Sequence, residues 1–397
     1  MKKAELVFIP TPGISHLVST VEVAKLLVDR DERLSITFLI MKINFDPKVD
    51  RFIDSVSTAC NRIRFIHLSK YEPDPNQPNK FFVSLIESQK PNVKEEVSRL
   101  VSRSVSSPGS PTLAGFVLDM FCTSMIDVAN EFGVPSYIFL TSGAAFLGLQ
   151  FYVQVLHDEQ KVDPTEFKGS DAELVMPCLE NPLPAKLLPS FMLNKEWLSI
   201  LISPARKFRE TKGIMVNTFE ELESHAINSF SNGNTPPVYP VGPILNLNGD
   251  GDRDVESDKF KDIRQWLDDQ PLSSVVYLCF GSRGSFGVDQ VKEIACGLEQ
   301  SGHRFLWSLR QPPPKEMGLG VEIKMDYRSE FHLDGDENNI LSAGEIERGV
   351  RCLMELDNEK RERLKEMSGK SRKALENGGT SSTGLGRFIQ DVVDHQP

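Results

Sequence analysis

The chain has 397 residues, of which 40% are hydrophobic and 25% are charged, a composition typical of a globular protein with two or three domains. It carries 45 lysines and arginines against 56 aspartates and glutamates. The resulting net charge of −11 argues against a nucleic-acid backbone or an anionic membrane as the main partner. The six cysteines form no Cys-x-x-Cys pair, and no apolar run is long enough for a signal peptide or a membrane-spanning helix. We therefore expect a cytoplasmic protein.

Short apolar runs alternate with helical patterns through the first half of the chain. Leu17, Val21 and Ala24 recur at helical spacing soon after the first run. The predicted strands are Ala4–Ile9, Ser35–Ile40, Arg62–Leu68, Leu113–Leu118, Ser136–Leu140 and Gly213–Val216. This alternation predicts a doubly wound parallel sheet, in which ligands bind beyond the carboxyl ends of the strands.

The second half of the chain shows another alternation of strand and helix patterns, which predicts a second α/β domain with few strands. A stretch rich in Asn, Gly and Asp separates the two halves near residue 250. The predicted elements are strands Ser274–Phe280, His303–Leu309 and Gly320–Lys324, then helices Ala343–Leu356 and Asn358–Asn377. A parallel sheet that is buried on both faces normally has more strands. We therefore expect two α/β domains, residues 1–245 and 263–397, with a linker over 246–262 and an incomplete second domain.

His16 is the sharpest candidate for a catalytic residue. It follows the first predicted strand and a Pro-Gly turn, at the start of a helix. A helix N-terminus disfavours a protonated imidazole, so a histidine there can accept a proton. Asp119 ends another predicted strand at the same edge of the sheet and could orient the histidine ring. The alternative, a histidine that caps the helix and an unrelated aspartate, stays open on spacing alone.

Other local patterns point to chemistry less directly. No histidine pairs with a Cys or a carboxylate at metal-ligand spacing, so no metal site is predicted. The loop Gly281–Gly287 lies between a strand and a helix, where backbone amides can bind phosphate, although a tight turn is the simpler interpretation. Phe121, Phe146 and Met192 could line an apolar pocket or belong to the core. The chain lacks a dinucleotide fingerprint, which disfavours a nicotinamide-dependent reductase.

Several segments taken together resemble the plant UDP-glycosyltransferases that modify small molecules. These segments are Phe8–Leu17, Asp119–Cys122, Phe139–Ala144, Gly213–Phe219, Tyr239–Pro243, Trp266–Pro271 and Phe280–Ser282. The resemblance covers almost the whole chain. It implies an α/β protein of the GT-B type, in which two Rossmann-like domains face each other. The first would hold the acceptor and the second the UDP-sugar.

The resemblance also implies roles for residues at matching positions. His16 is expected to deprotonate the acceptor hydroxyl and Asp119 to orient His16, so that the acceptor oxygen attacks the anomeric carbon and inverts its configuration. Thr141 is expected to contact the sugar, and Ser282 to lie near the diphosphate. If Phe121, Phe146 and Met192 line an apolar pocket rather than the core, that pocket is the candidate acceptor site. The substrates would be UDP-glucose or a similar UDP-sugar and a phenolic or terpenoid hydroxyl, turned over by a monomer without cofactor or metal.

One part of the family pattern is missing from this chain. The family's signature box begins Trp-Ala-Pro-Gln, passes through His-Cys-Gly-Trp-Asn-Ser and supplies most contacts to the UDP-sugar. Here Arg310–Lys315 leads directly to Glu316–Leu319, which resembles sequence downstream of that box. We infer an internal deletion and expect sugar transfer to be severely impaired. Two alternatives stay open: a pseudoenzyme that binds the acceptor but not the donor, and a misfolded product of splicing or of an incorrect gene model.

Overall fold

The computed structural model describes residues 3–41, 47–69, 81–107, 109–246, 258–281, 286–309, 340–355 and 359–395. The chain divides into two compact units. Unit 1 combines Met1–Gly251 with Gly369–Pro397, and unit 2 is Asp252–Ser368. Within the described ranges, no helix has both the length and the apolar character that crossing a membrane requires.

Unit 1 is built around a parallel sheet of seven strands. These are β1 (Ala4–Ile9), β2 (Leu34–Ile40), β3 (Ile63–His67), β4 (Thr112–Asp119), β5 (Ser136–Leu140), β8 (Gly213–Val216) and β9 (Val238–Pro240). Two short strands, β6 (Glu173–Leu174) and β7 (Leu183–Pro184), form a separate antiparallel pair. The order across the large sheet is β3-β2-β1-β4-β5-β8-β9. From β1, the chain adds β2 and β3 on one side of the sheet and β4, β5, β8 and β9 on the other. This change of side between β1 and β4 is expected for a doubly wound sheet.

Helices cover both faces of this sheet. They are α1 (Ile14–Arg30), α2 (Pro47–Ala59), α3 (Phe81–Ser88), α4 (Lys90–Ser106), α5 (Ile126–Glu131), α6 (Ala144–Asp158), α7 (Lys195–Phe208), α8 (Glu220–Asn228) and α13 (Thr380–Asp394). The apolar side chains of α1, α2 and α13 join one core, and those of α4, α5, α6 and α7 join the other. A sheet covered in this way is buried on both faces, which explains why its strands are almost continuously apolar.

The central strand β1 shows how the sequence meets this demand. All six of its residues are buried. Leu6 and Phe8 enter one core and Val7 and Ile9 the other, because successive side chains of a strand point to opposite faces. Glu5, only 3% exposed, accepts hydrogen bonds from Ser35 and Thr37 on β2 and pairs with Arg64 on β3. These partners offset the cost of burying its charge.

The predicted strands of the first half are confirmed to within a residue at each end. The edge strand β9 was not predicted, because it is only three residues long and ends in a proline. The predicted strand Gly320–Lys324 and most of the predicted linker lie outside the described residues.

The described elements that follow the linker, apart from α13, are few. They are α9 (Asp258–Asp268), β10 (Val275–Cys279), α10 (Val288–Ser301), β11 (Arg304–Ser308), α11 (Ala343–Met354) and α12 (Glu359–Leu375). β10 and β11 correspond to the predicted strands Ser274–Phe280 and His303–Leu309, and they pair in parallel. Their side chains are poorly covered by the described residues: Tyr277 is 63% exposed and Phe305 is 39% exposed.

The C-terminal helix α13 packs on unit 1. Phe388 is fully buried, and its ring centroid lies 5.0 Å from that of Tyr137 and 5.7 Å from that of Tyr239. The Tyr137 hydroxyl donates to Asp391 at 2.8 Å. The sequence-based division assigns residues 263–397 to the second domain, so the two divisions differ at this helix. Helical periodicity identifies an apolar face but not the core that receives it.

Candidate active site

Three of the candidate residues come from adjacent strands of the large sheet. β4 lies between β1 and β5, and all three strands run in parallel. His16 follows β1, Asp119 is the last residue of β4, and Thr141 directly follows β5. Because the carboxyl ends of parallel strands meet at one edge of a sheet, these residues share that edge.

The structure brings His16 and Asp119 into direct contact. Nδ1 of His16 lies 2.8 Å from Oδ2 of Asp119. The side chain of Asp119 is fully buried, whereas that of His16 is 26% exposed. Because an ionised carboxylate can only accept hydrogen bonds, the contact places a proton on Nδ1 and leaves Nε2 as the basic ring nitrogen. This arrangement suits a histidine that takes a proton from a substrate.

The carboxylate of Asp119 has further partners that hold it in place. Its Oδ1 accepts hydrogen bonds from the Thr11 hydroxyl and from the backbone N–H of Phe121, the latter at 3.2 Å. The Thr11 hydroxyl also lies 3.7 Å from the sulfur of Cys122. Burial raises the pKa of the Cys122 thiol well above its usual value, so the thiol remains uncharged. Thr11 was not predicted from sequence, because nothing in its local sequence distinguishes it from a threonine in an ordinary loop.

The turn before α1 explains how His16 reaches this position. Gly13 has a φ of 139°, a backbone conformation that side-chain-bearing residues rarely adopt. It allows the chain to turn from β1 directly into α1, so that His16 lies in the first helical turn. Among the described residues, no side-chain hydrogen bond caps the N-terminus of this helix. The geometry therefore favours the pair with Asp119 over a helix-capping histidine.

Thr141 lies in a turn before α6, and the start of α6 is hydrogen-bonded to the carboxylate of Glu223. α6 begins three residues after Thr141, and its N–H groups at Ala144 and Ala145 donate to the carboxylate of Glu223 at 2.9 and 3.0 Å. A carboxylate at a helix N-terminus satisfies unpaired N–H groups and opposes the positive end of the helix dipole. Glu223 belongs to α8, so no local pattern could have identified this contact. It holds the turn that carries Thr141 against α8.

The remaining candidates are placed less closely around His16. The ring centroid of Phe121 lies 6.0 Å from that of His16, and the two ring planes meet at 63°, an edge-to-face arrangement. Phe146 is partly buried in the first turn of α6, and Met192 is fully buried just before α7. Both pack in the core that α6 and α7 share. Ser282 lies outside the described residues.

A comparison with protein-family profiles finds no match, but individual proteins are clearly similar. A UDP-glycosyltransferase of Malus domestica is 43% identical over 98% of this chain and 100% of its own length. Anthocyanidin 3-O-glucosyltransferase 1 of Manihot esculenta is 44% identical over 96% of this chain and 100% of its own length.

Solved structures give the same result. A glycosyltransferase of Siraitia grosvenorii in complex with UDP has a TM-score of 0.83 and 38% identity, covering 98% of this chain and 100% of its own. A Medicago truncatula enzyme complexed with UDP-glucose has a TM-score of 0.82 and 32% identity, covering 98% of each chain. The chain therefore belongs to the plant UDP-glycosyltransferases. The predicted family and the predicted GT-B fold class are confirmed, and the chain is a UDP-sugar-dependent glycosyltransferase by descent.

Proposed function

We propose that this protein transfers glucose from UDP-glucose to a hydroxyl of a flavonoid or a related phenol. The observation that carries the proposal is the contact between the partly exposed His16 and the buried Asp119. The acceptor class is supported by the names of relatives, which include flavonoid 3-O-glucosyltransferases of Fragaria ananassa at 44% and 45% identity. The donor is supported by the Medicago truncatula complex with UDP-glucose.

In the proposed reaction, His16 acts as general base and Asp119 as its orienting partner. Nε2 of His16 takes the proton of the acceptor hydroxyl while the acceptor oxygen attacks the anomeric carbon of the sugar. The bond from that carbon to the diphosphate breaks, and UDP leaves with the bonding electron pair. Attack opposite the leaving group inverts the anomeric configuration. Asp119 stabilises the imidazolium formed in this step, which then returns its proton to solvent.

The donor side of the site follows from the same proposal. Thr141, in the turn fastened by Glu223, would contact the sugar. Ser282 would lie near the diphosphate, whose charge backbone N–H groups and polar side chains can stabilise without a metal. We assign acceptor binding to residues 1–245, the linker to 246–262 and donor binding to residues 263–397.

We further propose that an internal deletion weakens donor binding and transfer in this chain. The absence of the signature box supports this proposal, and so does the length of the alignments. The alignment with the Malus domestica relative extends over 484 positions, whereas the chain has 397 residues. The exposed side chains of β10 and β11, which have no further strand beside them among the described residues, are consistent with this proposal.

The test uses the purified full chain. UDP-glucose binding is measured by calorimetry, and transfer to quercetin is followed by mass spectrometry with enzyme in excess, so that weak donor binding does not hide turnover. We expect slow glucoside formation that His16→Ala abolishes. Glucoside formation that persists in the His16→Ala variant would refute the proposed mechanism. Donor affinity as high as that of the full-length relatives would refute the proposed weakening.

We also propose that the protein is a cytoplasmic monomer. The six cysteines are all free thiols, which fits a reducing compartment. Size-exclusion chromatography with light scattering tests the monomer, and a mass of two chains would overturn it. Imaging of a fluorescent fusion in plant cells tests the location, and retention in a membrane-bounded compartment would overturn that part.

A further inference from the structure

Gln150, two turns into α6, has a buried side chain that the proposed mechanism does not use. It is 1% exposed, and within the described part of the chain neither its amide oxygen nor its amide nitrogen has a hydrogen-bond partner. Buried polar groups in native proteins are nearly always hydrogen-bonded, because leaving one unpaired is costly. A ligand that enters this region could supply the missing partner.

The same helix shows that the fold can satisfy a buried amide. Gln154 lies one turn further along α6 and is 6% exposed. Its amide nitrogen donates to Asp158 at 2.9 Å, and its amide oxygen accepts from Arg209 at 2.9 Å. Of these two buried glutamines on α6, only Gln150 lacks hydrogen-bond partners among the described residues.

The face of α6 that carries Gln150 is turned towards α7, which packs against α6. Residues 146, 150, 154 and 157 lie on one face of α6, because residues separated by one or two helical turns project in the same direction. At the far end of this face, His157 lines a cavity of about 770 Å³ together with Leu198 and Ile202 of α7. At the near end, Phe146 lies in the first turn after the segment that carries Thr141. Gln150 thus lies between the edge of the sheet and the cavity, on the face turned to α7.

A second unpaired polar atom belongs to another element that α7 contacts. The Ser124 hydroxyl is buried and has no hydrogen-bond partner in the described part of the chain. Ser124 belongs to a 3₁₀ turn, Thr123–Met125, which begins four residues after Asp119 and also contacts α7. Buried polar groups without a partner in the described part of the chain therefore occur on two elements that contact α7.

We propose that Gln150 is a specificity-determining residue of the acceptor site. Its carboxamide would donate a hydrogen bond to, and accept one from, a second polar group of a polyhydroxylated aromatic acceptor, remote from the hydroxyl that reacts. A carboxamide offers both a donor and an acceptor, which matches a phenolic hydroxyl. The proposal rests on the proposed function, because it needs the acceptor to bind beside His16.

The experiment measures acceptor binding, which does not require a functional donor site. Quercetin is compared with luteolin, kaempferol and fisetin, which each lack one of its hydroxyls, by fluorescence titration of the full chain. Three proteins are compared: the wild type, Gln150→Leu, and Gln154→Leu as the matched control. Thermal unfolding verifies that each variant is folded. Gln150→Met, which keeps the length of the side chain but has no amide, serves as a second variant if the leucine substitution prevents folding, and the same loss of the difference is expected of it.

We expect the wild type to bind one of the three analogues about tenfold more weakly than quercetin, because a site that hydrogen-bonds a ligand group disfavours ligands without it. The Gln150→Leu variant should lose this difference, and the Gln154→Leu variant should keep it. If Gln150→Leu keeps the wild-type difference, or weakens all four ligands equally, the assignment of Gln150 is overturned while the proposed function stands. If the wild type binds none of the four, the flavonoid acceptor and the role of Gln150 are both overturned.

Discussion

Replacing Asp119 with asparagine tests the proposed catalytic pair most directly. The substitution keeps the size of a fully buried side chain, and its oxygen can still accept from Thr11 and from the N–H of Phe121. The group that faces Nδ1 of His16 would then be an amide nitrogen, which donates rather than accepts. His16 would be driven to the tautomer with its proton on Nε2, which cannot act as a base toward the acceptor.

The expected loss follows from this change of tautomer. A well-placed general base contributes about 10²- to 10⁴-fold to a rate. Its loss corresponds to about 3 to 5 kcal/mol in activation free energy. The effect on folding should be smaller, about 2 kcal/mol in the free energy of unfolding, because one hydrogen bond to a charged group is replaced. The increase in activation free energy should therefore exceed the decrease in the free energy of unfolding.

The assay combines rate with the protonation pattern of the ring. Glucoside formation is measured with enzyme in excess, and nitrogen NMR of labelled histidine reports which ring nitrogen of His16 carries the proton. Asp127→Asn serves as the control, since this exposed aspartate pairs only with surface lysines among the contacts seen and such pairs contribute little. A folded Asp119→Asn protein that retains transfer within threefold of the wild type would refute the reasoning.

Two further predictions concern stability. Glu223→Ala should lower the free energy of unfolding by about 1 kcal/mol, because it removes the carboxylate at the start of α6. Glu220→Ala, on the same helix, should cost less, and equal costs in urea titrations would contradict the role of Glu223. The protein should lose stability as pH rises from about 10 towards 12, because burial raises the pKa of Tyr239 to about 12 and that of Tyr137 further. The folded state favours both phenols protonated, so Tyr137→Phe should reduce this loss in thermal unfolding against pH, and an unchanged profile would contradict it.

Much of the first unit could be predicted from its apolar runs. A strand buried on both faces must be apolar along its length, so β1, β4 and β5 stand out from their surroundings. The family resemblance added proposed roles for residues that sequence spacing alone left open. β9 escaped prediction because three residues ending in proline carry too little pattern to be distinguished from a loop.

The candidate site divides in the same way. His16 and Asp119 could be paired from the sequence, because each lies just after or at the end of a strand and parallel strands place those ends together. The contacts of Thr11 and Glu223 could not, since no local pattern sets this threonine or this glutamate apart from others in the sequence. The unpaired amide of Gln150 was equally hidden, because whether a polar group lacks a partner depends on everything packed around it.

The sequence by itself determined which segments of the first unit are strands, which family the chain belongs to and which strand ends are candidates for the active site. These properties are local, or are carried by short motifs whose residues are neighbours in the chain. Only the tertiary structure decided that α13 belongs to the first unit, that Glu223 binds the turn that carries Thr141 and that Gln150 has no hydrogen-bond partner among the described residues. Each of these depends on packing between distant segments, and the periodicity of a single helix or strand does not specify its partner.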